Sequence, residues 1–321
     1  MVSWHDARTL AGVFFLALLA GCVTPQTAAL RSAPPAGLPE QFELEQVAFY
    51  AQEEHQCGPA ALAIALQHAG RNVAPEQLKE LLYLPEKQGS LQAEMLASAR
   101  RNGTLAYVLK PQLQDVLSEV AAGNPVLVLQ NLGLSWYPVW HYAVVVGYDL
   151  RSEEMILRSG LERRQLLPFI TFENTWARSG HWAMLVLPPG RLPQTASADE
   201  YVQSIVALEH SSPATDTWPA YQAALARWPD NLLARISAGN LAYSHGRLQQ
   251  AQEMLQAAVQ QHPDSVAALN NLAQVLSDQG NYEAAQPLAQ QAVALGGPLN
   301  AQARSTLAEI EQHLGAQRNR K

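Results

Sequence analysis

The sequence predicts two domains of different class, an α+β domain with helices packed on an antiparallel sheet, followed by an all-α domain. Three observations predict this. Between Phe42 and about Pro189 helical patterns come first and short apolar runs of strand length come later. Beyond Pro193 the composition turns to Ala, Gln and Leu. In that region a helical unit repeats, with 34 residues between Pro229 and Pro263.

The elements follow in order. Leu10 to Ala20 ("LAGVFFLALLA") is apolar but short of the ~20 residues that a spanning helix needs. It ends in Leu19-Ala20-Gly21-Cys22, which resembles the bacterial lipobox. That resemblance implies a signal segment over 1–21, acylation of Cys22 as the new N-terminus, and a membrane lipoprotein facing the periplasm. Thr24 at the second place after the cysteine, rather than Asp, implies the outer membrane. An uncleaved anchor or a buried first helix is the alternative. The stretch to about Glu40 ("VTPQTAALRSAPPAGLPE") has no helical period and reads as a tether.

Pro59–Ala69 is apolar all round, as a buried helix is, and Pro75–Leu84 and Ser90–Asn102 read as amphipathic helices. A strand is expected at Leu105–Leu109 and a helix at Gln112–Ala122. Strands are then expected at Val126–Gln130, Tyr142–Tyr148, Met155–Arg158 and Trp182–Leu187, the last closed by Pro188-Pro189-Gly190.

In the second region Gly246 recurs as Gly280, Ala251 as Ala285 and Ala258 as Ala292, small residues expected where paired helices touch. The interval from Pro263 to Pro298 is one residue longer, where Gly296-Gly297 intervenes. The register resembles a tetratricopeptide array: two good repeats, a degenerate unit over Tyr201–Trp228, and a capping helix over Ala301–Leu314. The expected organisation is therefore signal 1–21, lipidated Cys22 and tether to 41, an α+β domain over 42–190, a linker over 191–198, repeats over 199–316 and a polar tail.

Charge and motifs exclude several function classes. Net charge is −7 with no Lys/Arg cluster, which argues against nucleic acid as a partner. There is no HExxH, no CxxC and no Gly-rich phosphate loop, so no metal, cofactor or nucleotide is expected.

What remains is Cys57, the only cysteine besides Cys22. It stands before Gly58-Pro59 and the apolar run, at the place where a helix N-terminus lowers a thiol's pKa from ~8.5. Gly58 offers room for a substrate backbone to approach. Of nine histidines, His141 opens a strand, "WHYAVVVGYD", from which a rigidly held base could face that helix start. From spacing alone, catalysis and a structural histidine stand about equal. Trp176 and Trp182 are expected in the core or cleft wall, and Trp136 and Trp140 beside His141 could bind peptide.

"CGPAALAIAL", "GSLQAEMLASARRNG", "NPVLVLQN" and "HYAVVVGYD" follow one another in the order seen in the bacteriocin-processing, double-glycine leader peptidases. Over about Phe42–Leu187 the chain resembles that family, which implies a papain-like fold and cysteine peptidase activity. Carried over, Cys57 is the nucleophile, His141 its base, and Gln52 the oxyanion donor. Two places depart from the family. Its Gln lies six residues before the Cys, where this chain has Ala51. Its third residue, Asp or Asn, would fall near Ser159 in "EEMILRSG", with Asp149 on the preceding turn as another orienter.

Two readings follow. One is a lipid-anchored cysteine peptidase whose tetratricopeptide repeats recruit a protein partner or substrate. The other is a peptidase-like scaffold lipoprotein that has lost turnover; a transferase using the same acyl-enzyme is a smaller third.

Overall fold

A computed structural model describes residues 24–51, 56–82 and 90–319, and the chain divides into two units. The first runs to Ser98 and resumes over Val108–Val186, while Ala99–Tyr107 clusters with Leu187–Lys321 in the second. Among the described residues no helix is long and apolar enough to cross a membrane.

The first unit begins with a helix where a tether is expected. Pro25–Ser32 (α1) has proline in its first turn, and Thr27 and Leu30 are buried. The buried carboxylate of Glu173 accepts hydrogen bonds from the backbone N–H of Gln26 (3.0 Å) and Thr27 (2.7 Å) and from the Thr27 hydroxyl (2.6 Å). An eight-residue helix is marginal alone, so this docking of an anion on its N-terminal N–H groups is what holds it. Two inward residues leave no period for sequence reading to find.

A short strand, Gln41–Glu43 (β1), follows, then Cys57–His68 (α2), Pro75–Leu82 (α3), Gln92–Arg101 (α4), Leu105–Val108 (β2) and Leu113–Ala121 (α5). Every residue from Gly58 to Leu66 is buried, which is why α2 lacks a polar face. The sheet is built from Val126–Asn131 (β3), Trp140–Asp149 (β4), Glu154–Ser159 (β5), Glu162–Pro168 (β6) and, after Phe169–Ala177 (α6), Ala183–Leu187 (β7). Its strands lie in the order β7-β3-β4-β5-β6, antiparallel, with β1 also paired to β4. A Cβ at Gly147 would stand 2.6 Å from the Phe42 carbonyl oxygen, so β1 can lie there only against glycine. Sequence reading finds neither β1 nor β6. "ERRQLLP" is a largely exposed strand whose outer positions show no apolar alternation.

The second unit contains Ala198–Ser211 (α7), Trp218–Arg227 (α8), Leu232–Ser244 (α9), Leu248–Gln261 (α10), Val266–Asp278 (α11), Tyr282–Leu295 (α12) and Asn300–Arg318 (α13). Equivalent side chains start equivalent helices: Asn231 caps α9 at the Ala234 N–H (2.8 Å) and Ser265 caps α11 at the Ala268 N–H (3.3 Å). Ala251, Ala258, Ala285 and Ala292 are fully buried between helices. Gly246 and Gly280 are not close contacts. Both have positive φ (+70° and +79°) and open space around them, so they recur because each must turn the chain out of a helix.

Candidate active site

Cys57 is the first residue of α2, with Gln56 as N-cap. The earliest intrahelical bond is from the Ala60 N–H to the Gln56 carbonyl (3.1 Å), and Pro59 has no N–H. The N–H groups of Cys57 and Gly58 are thus left over at the positive end of the helix dipole. Both act on the Cys57 sulfur, as does the backbone N–H of Tyr142 in β4.

Gly58 has a different role from the one its sequence position implies. A Cβ there would lie 2.4 Å from Ser90 Oγ and 2.8 Å from Ser90 Cβ. The space belongs to Ser90 and not to a substrate backbone. Ser90 Oγ is buried and makes no hydrogen bond among the described residues, while its carbonyl accepts from the Tyr142 hydroxyl (3.2 Å).

His141 is the second residue of β4, and its Nε2 lies 2.9 Å from Ser159 Oγ at the end of β5. Ser159 is 5% exposed and His141 half-buried, so the bond is shielded on its Ser159 side. With Nε2 engaged, Nδ1 is the nitrogen left for a thiol. Among the described residues no hydrogen bond joins Cys57 to His141; the sulfur meets the backbone of the next residue, Tyr142. Asp149 is a turn residue at the far end of β4, accepting from the N–H groups of Arg151 (2.8 Å) and Ser152 (3.1 Å). Eight strand residues, about 26 Å, separate it from His141. Gln52 and Cys22 lie outside the described residues.

Burial sets the electrostatics. It pushes the Cys57 thiol above its ordinary value, with the N–H groups of Tyr142, Gly58 and Cys57 itself opposing it. Burial likewise holds the His141 imidazole below its ordinary value. Burial thus disfavours the charged form of both groups and opposes the helix N-terminus, which favours a thiolate. Other histidines have structural partners: His68 Nε2 meets the Gly123 carbonyl (3.0 Å), and His181 packs edge-on against Trp176 (4.8 Å).

The loop between β3 and β4 is organised by Asn131. Its Oδ1 accepts from the N–H groups of Gly133 and Val139 (both 2.9 Å), and Leu134 bridges Tyr137. The loop is an ordered hairpin, yet Trp136 is 81% exposed and Tyr137 69%. Trp176 is fully buried and donates to the Trp182 carbonyl (2.9 Å), and Trp182 stacks edge-on with Tyr142 (5.9 Å). Sequence reasoning missed Tyr142 and Ser90. The first acts through its backbone, which no residue type reveals, and the second through shape.

Residues 44–184 match the Peptidase C39 like family, and residues 242–310 match the tetratricopeptide repeat. No curated protein matches the chain. Among solved structures, a protein titled as a C39-like peptidase from Bacillus anthracis is 19% identical at a TM-score of 0.40, over 46% of this chain and 98% of that one. The peptidase domain of Streptococcus ComA, titled a bi-functional ABC transporter involved in a quorum sensing pathway, is 20% identical at 0.37, over 44% and 99%. A MamA RS-1 double mutant is 16% identical at 0.30, over 39% and 79%.

Proposed function

We propose that this protein, which carries a Peptidase C39-like domain followed by tetratricopeptide repeats, is a lipid-anchored cysteine peptidase that cleaves a peptide bond through Cys57 and His141. One observation carries the reading: a free thiol at a helix N-terminus meets the backbone N–H of Tyr142, the residue after a histidine hydrogen-bonded to Ser159. A neutral thiol and a neutral imidazole are the correct starting pair for general-base catalysis. His141 Nδ1 takes the thiol proton as Sγ bonds to the substrate carbonyl carbon. The resulting oxyanion is held by the N–H groups of Cys57 and Gly58, with Gln52 as a side-chain donor. His141 then gives the proton to the departing amine, leaving a thioester. Water attacks the thioester with His141 again as base, releasing the carboxylic acid and restoring the thiol. Catalytic hydrogen bonds are often long before substrate arrives, so the Cys57–His141 contact forms in the complex.

Substrate or partner recruitment falls to the repeats. A cavity of about 280 Å³ there is lined by Tyr243, Leu255, Val275 and Thr306 and by the side-chain amides of Asn240, Asn270, Asn271, Gln274 and Gln302. These side-chain amides match the needs of an extended peptide backbone. Acylation of Cys22 would hold the chain on a membrane facing the periplasm, the outer membrane by its Thr24.

The test is hydrolysis of a fluorogenic peptide ending in Gly-Gly, with mass spectrometry for the thioester. Cys57→Ala should abolish turnover, and His141→Ala should lower it by about 10²–10⁴-fold. A second reading, an inactive scaffold, is favoured by the missing Cys57–His141 hydrogen bond and by Ser159 where the family has a carboxylate. No turnover in the wild type, with partner binding intact in Cys57→Ala, would select it.

A further inference from the structure

The β3–β4 hairpin carries more exposed apolar surface than a peptidase core needs. From Leu132 to Trp140 ("LGLSWYPVW") there is no charged residue. Leu132, Leu134, Trp136, Tyr137, Val139 and Trp140 are all exposed. Asn131 holds the loop in one shape, so these side chains are presented rather than frayed. Leu161, 76% exposed, sits in the β5–β6 turn. In an antiparallel sheet the end of β3, the start of β4, the end of β5 and the start of β6 share one edge, so Leu161 and the hairpin lie at the same end.

The described chain begins at that end too. The Phe169 N–H, at the start of α6, donates to the Glu153 carbonyl (2.7 Å), and the Glu153 carboxylate accepts from Arg31 Nε (2.6 Å), in the last turn of α1. Further along α6, Glu173 binds the first turn of α1. Just past α6, Arg178 donates to the Asn131 carbonyl (3.0 Å) at the base of the hairpin. Hence α1 runs antiparallel to α6, and its N-terminus points toward the hairpin. Glu173 and Arg178 are five residues apart, about 7.5 Å of helix axis. The described chain therefore begins, at Thr24 and the first turn of α1, on the side of the sheet end that carries the exposed aromatic loop.

We propose that the Leu132–Trp140 hairpin, with Leu161 beside it, is a membrane-docking element that seats in the headgroup and upper acyl region of a bilayer. Trp and Tyr are the side chains favoured at that depth, having an apolar body and a polar tip. The loop carries no charge with which to match a protein surface, and the described chain starts on the same side. The orientation rests on the lipid-anchored reading; the docking itself does not. Because His141 and Ser159 lie at the same sheet end, docking brings the candidate site to the lipid surface. Its substrates would then be polypeptide segments held at, or emerging from, that surface.

The test uses the full chain in phosphatidylethanolamine/phosphatidylglycerol vesicles whose acyl chains carry bromine, a short-range quencher of tryptophan emission. Wild type should be quenched, and the conservative double variant Trp136→Phe/Trp140→Phe should lose most of that quenching. Persistence of the Trp136/Trp140-dependent part in Cys22→Ala would support docking while refuting acylation as its cause. Equal quenching in wild type and double variant would overturn the inference, and leave the anchor standing if both sediment with vesicles. A raised KM for peptide in the double variant, with equal quenching, would also overturn it, assigning the loop to substrate.

Discussion

At the residue scale burial pushes the Cys57 thiol up and the His141 imidazole down, and pH separates a pair that starts neutral from a preformed ion pair. Iodoacetamide alkylation of Cys57 should rise with pH through a midpoint above ~8.5, the value of an ordinary thiol, instead of staying fast below pH 7. Stability should respond on both sides. A depressed His141 stabilises the fold above the ordinary imidazole value, ~6.5, and that contribution is lost as pH falls and the unfolded chain gains the proton. A raised Cys57 stabilises it below ~8.5, with loss as pH rises toward the folded value. In urea melts the stability of wild type should fall relative to His141→Gln as pH drops below ~6.5. Ser159→Ala should cost about 1 kcal/mol of orienting hydrogen bond, roughly five- to tenfold in kcat. Ser159→Asp should raise the acid limb of kcat/KM by placing a carboxylate on Nε2. Cys57 and His141 can be singled out as candidates because thiol and imidazole chemistry resides in the side chain, whereas Ser159 enters only through the family resemblance. The Tyr142 N–H and the fit of Ser90 to Gly58 were not, since backbone direction and close approach leave no mark on composition. Gly58→Ala should accordingly destabilise by about 1–3 kcal/mol through overpacking, read by thermal melting.

At the scale of elements the informative case is α1. "PQTAALRS" carries too few apolar residues to announce a helix, and its partner Glu173 is distant in sequence. Buried α2, by contrast, announces itself through an unbroken apolar run, and β3, β4 and β7 through theirs. Elements stabilised by one another's hydrophobic faces can be read locally, whereas one held by a remote carboxylate cannot. Glu173→Gln leaves fewer charge-assisted acceptors for Gln26 and Thr27 and should cost about 1–3 kcal/mol. Hydrogen exchange at Gln26 and Thr27 should rise with it, while β4 stays protected. In the repeats the recurring glycines were legible as positions but not as roles, because contact and turn demand the same small residue.

At the scale of the whole molecule, sequence composition separates a mixed region from an Ala/Gln/Leu helical one, and both are present. It does not reveal that Ala99–Tyr107 belongs with the later region. The reason is chemical and non-local: the Tyr107 hydroxyl donates to Glu200 (3.0 Å) and accepts from the Ser197 N–H (3.4 Å), on residues almost a hundred positions away. A chain truncated after Pro189 should therefore melt below the intact protein, because it keeps Tyr107 and discards both partners. Calorimetry of that fragment beside the full chain checks this. A graft of the repeats that starts only beyond residue 190 leaves behind the nine residues Ala99–Tyr107 that cluster with them, and so deprives Glu200 and Ser197 of the Tyr107 hydroxyl they share.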